Sequence, residues 1–237
     1  MLTPRLGWLV QPRMLLLLGL LLVLLMPGAD AFAHDISEAD RAAVQRIDGP
    51  APFPFLYLGA KHMVTGIDHV LFLIGVVFFL YRLRDVVLYV SMFTIGHSLT
   101  LLGGVLLDTG ANSYIVDAII GFSVVYKAFE NLGGFRLLGF ALDTRLAVLG
   151  FGLFHGLGLA TKVRDLGLSD DGLLVNLVSF NVGVEVGQVA VLTVVVALLN
   201  WWRATRSFAP AAFYANLALM AGGFALIGYQ LTGYAAS

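Results

Sequence analysis

The chain contains no cysteine. That excludes a disulfide framework, a thiolate metal site and a catalytic thiol, and leaves any metal chemistry to nitrogen and oxygen donors, with methionine as the only soft alternative. Charge is also scarce. Only 12% of residues are Asp, Glu, Lys or Arg, against about a quarter in a soluble domain. With 59% hydrophobic residues and a mean hydropathy of +0.90, the chain has the composition of a protein that lives in a bilayer. A formal net charge of −1, with no basic run and no stacking platform, excludes a nucleic-acid partner. No phosphate-binding loop and no His-Glu-x-x-His element occurs, so neither ATP hydrolysis nor a zincin site is expected.

The first segment reads as targeting rather than structure. Arg5 and Arg13 form a basic region, Met14 to Pro27 an apolar core, and Ala31-Phe32-Ala33 supplies the small residues that signal peptidase requires. Residues 1–33 are therefore expected to be a cleaved signal peptide, with His34 the new N-terminus and a candidate aid to metal capture. Residues 34–54 form a periplasmic arm in which Ser37 and Asp40 would cap a short helix carrying Ile36, Val44 and Ile47. Residues 55–237 form one transmembrane domain.

Six apolar runs, 56–81, 86–107, 114–133, 145–163, 173–200 and 211–233, are each long enough to cross a hydrocarbon core of about 30 Å. The fold class expected is an all-α membrane protein, about six transmembrane helices in one bundle. Arg82 and Arg84, Arg136 and Arg145, and Arg203 and Arg206 follow the first, third and fifth runs. Such loops lie in the cytoplasm, which predicts a multi-pass bacterial inner-membrane protein with a periplasmic N-terminus.

What remains polar inside these runs is unusual. His62, Asp68 and His69 occur in the first, His97 in the second, His155 in the fourth and Glu185 in the fifth. An ionisable group in hydrocarbon costs several kcal/mol and reads as functional by default. With about 1.5 Å of rise per residue, Asp68, His69, His97, His155 and Glu185 all fall about 10 to 12 residues into their spans, near one level. On a continuous helix His62 and His69 share a face, which puts His62 roughly 10 Å nearer the periplasm as an outer ligand. Imidazole with carboxylate suits Ni, Co, Zn, Fe or Cu(II). The metal ligands expected are His62, Asp68, His69, His97, His155 and Glu185. Asn181, Glu185 and Gln188 are spaced as one helix face, and Asn181 and Gln188 are expected beside the site or along a transit path. Asp117, near the end of its span, is expected to face water or the pathway. Glu130 is expected to pair with Lys127 at the interface or to mark an exit. Ser98 and Thr100 are expected to bond back to their own helix. Asn176, Asn216 and Gln230 are expected to join helices, and Gly66, Gly96, Gly152, Gly156, Gly158, Gly183 and Gly187 to let backbones approach.

The first run, GAKHMVTGIDHVLFLI, resembles the His-x5-Asp-His signature of the HupE/UreJ proteins, membrane accessory proteins of hydrogenase and urease systems associated with nickel uptake. FTIGHSLTLLG, FGLFHGLGLA and FNVGVEVGQ continue the likeness across the mature chain. The resemblance implies that His62, Asp68 and His69 form the signature metal element and that His97 and His155 are the histidines of the later spans. The chain departs from the family pattern in two places: Leu157, Gly158 and Leu159 follow Gly156 where a second histidine and an acid are usual, and Met63 replaces a proline. Glu185 is the expected replacement for the missing acid.

The function expected is a permease that moves a divalent transition metal, nickel first, from periplasm to cytoplasm and supplies metalloenzyme maturation such as that of hydrogenase or urease. Co²⁺, Zn²⁺ and Cu²⁺ are the other candidate cargoes, and no permanent cofactor is expected. Partners expected are the ion, the lipid bilayer, and a second copy of the chain or a maturation system. The same residues as zinc ligands would also suit an intramembrane metal-dependent hydrolase, and His97 with His155 a haem.

Overall fold

The computed structural model describes residues 41–237, apart from 43, 108–109, 140–141 and 167–168. The signal peptide, His34 and the capping pair Ser37 and Asp40 lie outside the described residues. Within them the chain forms helices and no strand: α1 Pro52–Thr65, α2 Ile67–Val77, α3 Leu83–Leu106, α4 Ser113–Asn131, the single turn α5 Gly134–Leu137, α6 Thr144–Arg164, α7 Leu173–Arg203 and α8 Phe208–Ala236. Pro52 opens α1, where its missing N–H costs nothing. Asn112 caps α4 by accepting from the Ile115 amide at 3.2 Å, and Asp143 caps α6 by accepting from the Arg145 amide at 2.9 Å.

Four helices, α3, α6, α7 and α8, are long and apolar enough to cross a membrane, and α1 with α2 makes a fifth span if the bent pair is counted as one. The third run, 114–133, became α4, which is shorter and carries Asp117, Lys127 and Glu130. Its direction is fixed by its neighbours. Gly152 of α6 abuts the Phe93 carbonyl of α3, and Gly156 of α6 abuts that of His97. Contact numbers therefore rise together along α3 and α6, and these two helices are parallel. The chain must travel back between them, and α4 makes that return.

Three close helix pairs build the bundle: α3 with α6, α1 with α7, and α4 with α8. Gly183 meets the Leu56 carbonyl and Gly187 that of Ala60, so α1 and α7 are also parallel. Gly121 faces Ile227 and Gly223 faces Val125, so α4 and α8 are antiparallel. At each crossing a methyl group in place of hydrogen would collide with backbone, so glycine alone permits the approach.

The first span is not one straight helix. α1 and α2 meet at Gly66 with a bend of 63°, which breaks the helix between His62 and Asp68. The described part of the arm packs over the same end of the bundle. Val44 is buried, Gln45 donates to the Leu166 carbonyl at 3.3 Å, and Asn176 accepts from the Ala51 amide at 2.7 Å and donates to the Gly49 carbonyl at 3.1 Å. Asn176 thus fastens the arm rather than joining two spanning helices. At the opposite end Arg203 donates to the carbonyls of Val77, Phe78 and Leu80 at 2.6, 2.6 and 3.0 Å and lies over the Tyr81 ring. It ties the end of α7 to the carbonyls that α2 leaves open.

Candidate metal centre

The break at Gly66 decides where the histidines go. It turns α2 so that His69 reaches the middle of the bundle, and it brings the His62 ring to 5.1 Å from the His69 ring, centre to centre. The expected offset of His62 along a continuous helix is therefore corrected: it belongs to the cluster. His97 from α3 lies 5.8 Å from His69 and His155 from α6 lies 4.9 Å from it. Imidazoles that share an ion through metal–nitrogen bonds of about 2.0 to 2.1 Å have ring centres about 5 Å apart. The rings thus have the spacing of a shared site, although among the described residues no three His, Asp or Glu side chains are yet aimed at one point closely enough to hold a metal.

The partners of His155 and His69 hold their Nδ1 atoms. His155 Nδ1 lies 2.8 Å from the Phe151 carbonyl, which only accepts, so Nδ1 carries the proton and Nε2 a lone pair. His69 Nδ1 lies 2.9 Å from Asp68 Oδ1. The same oxygen accepts from the His69 amide at 2.8 Å, so Asp68 both satisfies the first turn of α2 and orients the ring. A carboxylate that fixes a histidine's outer nitrogen is the usual support for a metal-binding imidazole. The Nε2 atoms of His69, His97 and His155 are all buried without a hydrogen-bond partner. The walls are Phe72, at 5.1 Å from the His155 ring, and Phe93, at 5.0 Å. Polar ring nitrogens stranded among phenyl rings cost about 1 to 3 kcal/mol each. A cation coordinated there would offset that cost.

Glu185 is not in this cluster. It is exposed on the outward face of α7. The reason is rotational: Gly183 and Gly187 must face α1, as their contacts with Leu56 and Ala60 show, and Glu185, two residues from each, lies on the opposite side at about 100° per residue. Asn181 and Gln188 are buried and donate to Ser98 Oγ and Thr94 Oγ1, both at 2.9 Å. They join α7 to α3. Ser98 is therefore Asn181's acceptor rather than a bond back to its own helix, while Thr100 bonds both to Gly96 and across to the Leu153 carbonyl at 2.6 Å.

Asp117 does not face water. It is 8% exposed and pairs through Oδ2 with Lys162 of α6 at 2.9 Å. Sequence reasoning passed over Lys162, because nothing local links it to Asp117. Glu130 pairs with Lys127 at 2.6 Å, as expected, and also accepts from the Thr144 hydroxyl. Beside it Asn131 donates to the Gly75 carbonyl at 2.8 Å and to Asn216 at 2.9 Å, which closes α2, α4 and α8 together at the Arg203 end.

No curated protein and no solved structure matched the chain. A family model described as HupE / UreJ protein matches residues 38–237, which spans all of the described residues and includes every histidine of the cluster. This multi-pass, all-helical membrane protein belongs to the HupE/UreJ family.

Proposed function

We propose that the chain is an inner-membrane permease that carries a divalent transition metal, nickel first, from periplasm to cytoplasm through the imidazole cluster, for metalloenzyme maturation of the hydrogenase or urease kind. The observation that carries this reading is the set of three buried Nε2 atoms, from α2, α3 and α6, that have no hydrogen-bond partner. His69, His97 and His155 would take the ion through those atoms, His62 would complete the set, and Asp68 would orient His69 and supply negative charge nearby. Family membership supports the same reading. We count six crossings, with α4 as the third, because α4 returns the chain between two parallel helices. We put the arginine-bearing ends of α4 and α7 in the cytoplasm, a reading that the basic residues there support. The hydrolase alternative draws no support from any observation.

The test is uptake of Ni²⁺, Co²⁺, Zn²⁺ and Cu²⁺ by cells expressing the wild type, His69→Ala or His155→Ala, with membrane levels matched. One of these ions should accumulate in the wild type and in neither variant. Accumulation unchanged by both substitutions would overturn the assignment of the pathway to these rings.

A further inference from the structure

The pair of Asp117 and Lys162 stands on the arm side of the imidazoles, and only half of the Asp117 carboxylate is committed to it. Oδ2 holds the lysine ammonium at 2.9 Å, with the two side chains 9% and 14% exposed. Oδ1 is buried without a hydrogen-bond partner. Its direction follows from Gly158, where an added Cβ would lie 3.0 Å from Asp117 Oδ1. His155, Gly158 and Lys162 follow one another at helical spacing along one face of α6. Oδ2 thus meets α6 at Lys162 and Oδ1 meets it one turn closer to His155. Asp117 is also within electrostatic reach of Asp68 and His69, and Lys162 within reach of His155. A stranded acceptor oxygen aimed along the face that leads to the imidazoles is placed to receive a cation.

We propose that Asp117 is the first anionic acceptor that an incoming metal ion meets inside the bundle, and that the Lys162 ammonium is a tethered stand-in which the ion displaces. Resting on the permease reading, this assigns the pair a role in capture and release. With no ion present the ammonium neutralises a carboxylate that burial would otherwise strand. An arriving divalent ion competes for that carboxylate, taking Oδ1 first because it is uncommitted. Once the ion passes to the imidazoles, the ammonium returns to Asp117 and opposes backward escape. The lysine weakens binding at this position and speeds departure from it. Glycine at 158 leaves the space beside Oδ1 open, since an added Cβ would lie 3.0 Å from that oxygen and 2.9 Å from Ile120 Cδ1.

The experiment is the initial rate of uptake of radiolabelled metal over a range of concentrations, in proteoliposomes containing wild type, Lys162→Gln, Lys162→Arg, Asp117→Asn or the double variant Asp117→Asn with Lys162→Gln. Folded amounts are matched by size-exclusion chromatography. Coupling between two linked binding events commonly spans about 5-fold to 150-fold. Lys162→Gln should lower KM by about tenfold and lower the maximal rate with it, as removal of a competitor predicts. Lys162→Arg should stay near wild type. Asp117→Asn should raise KM by about tenfold. The double variant buries no unpaired charge, so it remains informative where Lys162→Gln alone fails to fold, and its KM should rise with that of Asp117→Asn. If KM is unchanged in Asp117→Asn and in the double variant while the wild type transports, the pair is purely structural and this proposal is overturned, with the permease reading intact. If the wild type moves none of Ni²⁺, Co²⁺, Zn²⁺ and Cu²⁺, the permease reading fails and takes this proposal with it.

Discussion

Purified protein in detergent should become more heat-resistant when its cargo ion is added, by an amount that follows from the stranded nitrogens. Three Nε2 atoms without partners cost the empty state about 1 to 3 kcal/mol each, so an ion that coordinates them stabilises the folded state selectively. At a free ion concentration of about 100 times Kd the gain is about 2.7 kcal/mol. A chain of this size gains about 2 to 4 °C per kcal/mol. The expected rise in Tm is therefore about 5 to 10 °C by these two relations. It would be read as soluble, monodisperse protein surviving a heating series with and without Ni²⁺, Co²⁺, Zn²⁺ or Cu²⁺. His69→Ala and His155→Ala should lose the rise. A wild-type Tm unmoved by every one of the four ions, or an equal rise in both variants, would refute the idea that the imidazole cluster is a cation site.

Glu185→Gln should keep that ion-dependent rise in Tm, because the side chain faces away from the cluster; loss of the rise would show that Glu185 turns inward to bind. Gly152→Val should sharply reduce the yield of folded protein, because the position abuts the Phe93 backbone and overpacking costs about 1 to 3 kcal/mol or more; a normal chromatographic profile would refute the close α3 to α6 contact. Arg203→Lys should lower Tm, since a single ammonium cannot reproduce the fork that reaches three carbonyls, and the carbonyls left open cost about 1 to 3 kcal/mol. An unchanged Tm would show that those carbonyls find other donors.

Much of this was legible in the sequence. Apolar length gave the helices, and the level of His69, His97 and His155 within their runs predicted that they would meet, because rise per residue is fixed in any helix. Rotation about the axis was less legible. The spacing of Asn181, Glu185 and Gln188 grouped them on one stripe, but the structure buries Asn181 and Gln188 against α3 and leaves Glu185 exposed, a split set by Gly183 and Gly187 packing against α1, a contact between segments far apart in sequence. Gly66 posed a similar problem. A glycine in a membrane helix more often serves packing than breaking, so nothing local announced the bend that moved His62 into the cluster. Lys162 was missed for its distance in sequence from Asp117, whereas the run that forms α4 was read from its apolar length alone.

The bend at Gly66 also divides ownership of the donors. His62 travels with α1, which is fastened to α7; His97 and His155 belong to the fastened pair α3 and α6; and His69 rides on α2, whose main neighbour is α4. No single rigid block carries the whole set, so the binding strength of the cluster is a property of how three bodies are seated against one another. A change of a few degrees at Gly66 would alter the distance from His62 to His69 before it altered that from His97 to His155. Under the proposed function, tightness toward an ion would be adjustable by leverage, with Arg203 as the strut between α7 and the end of α2.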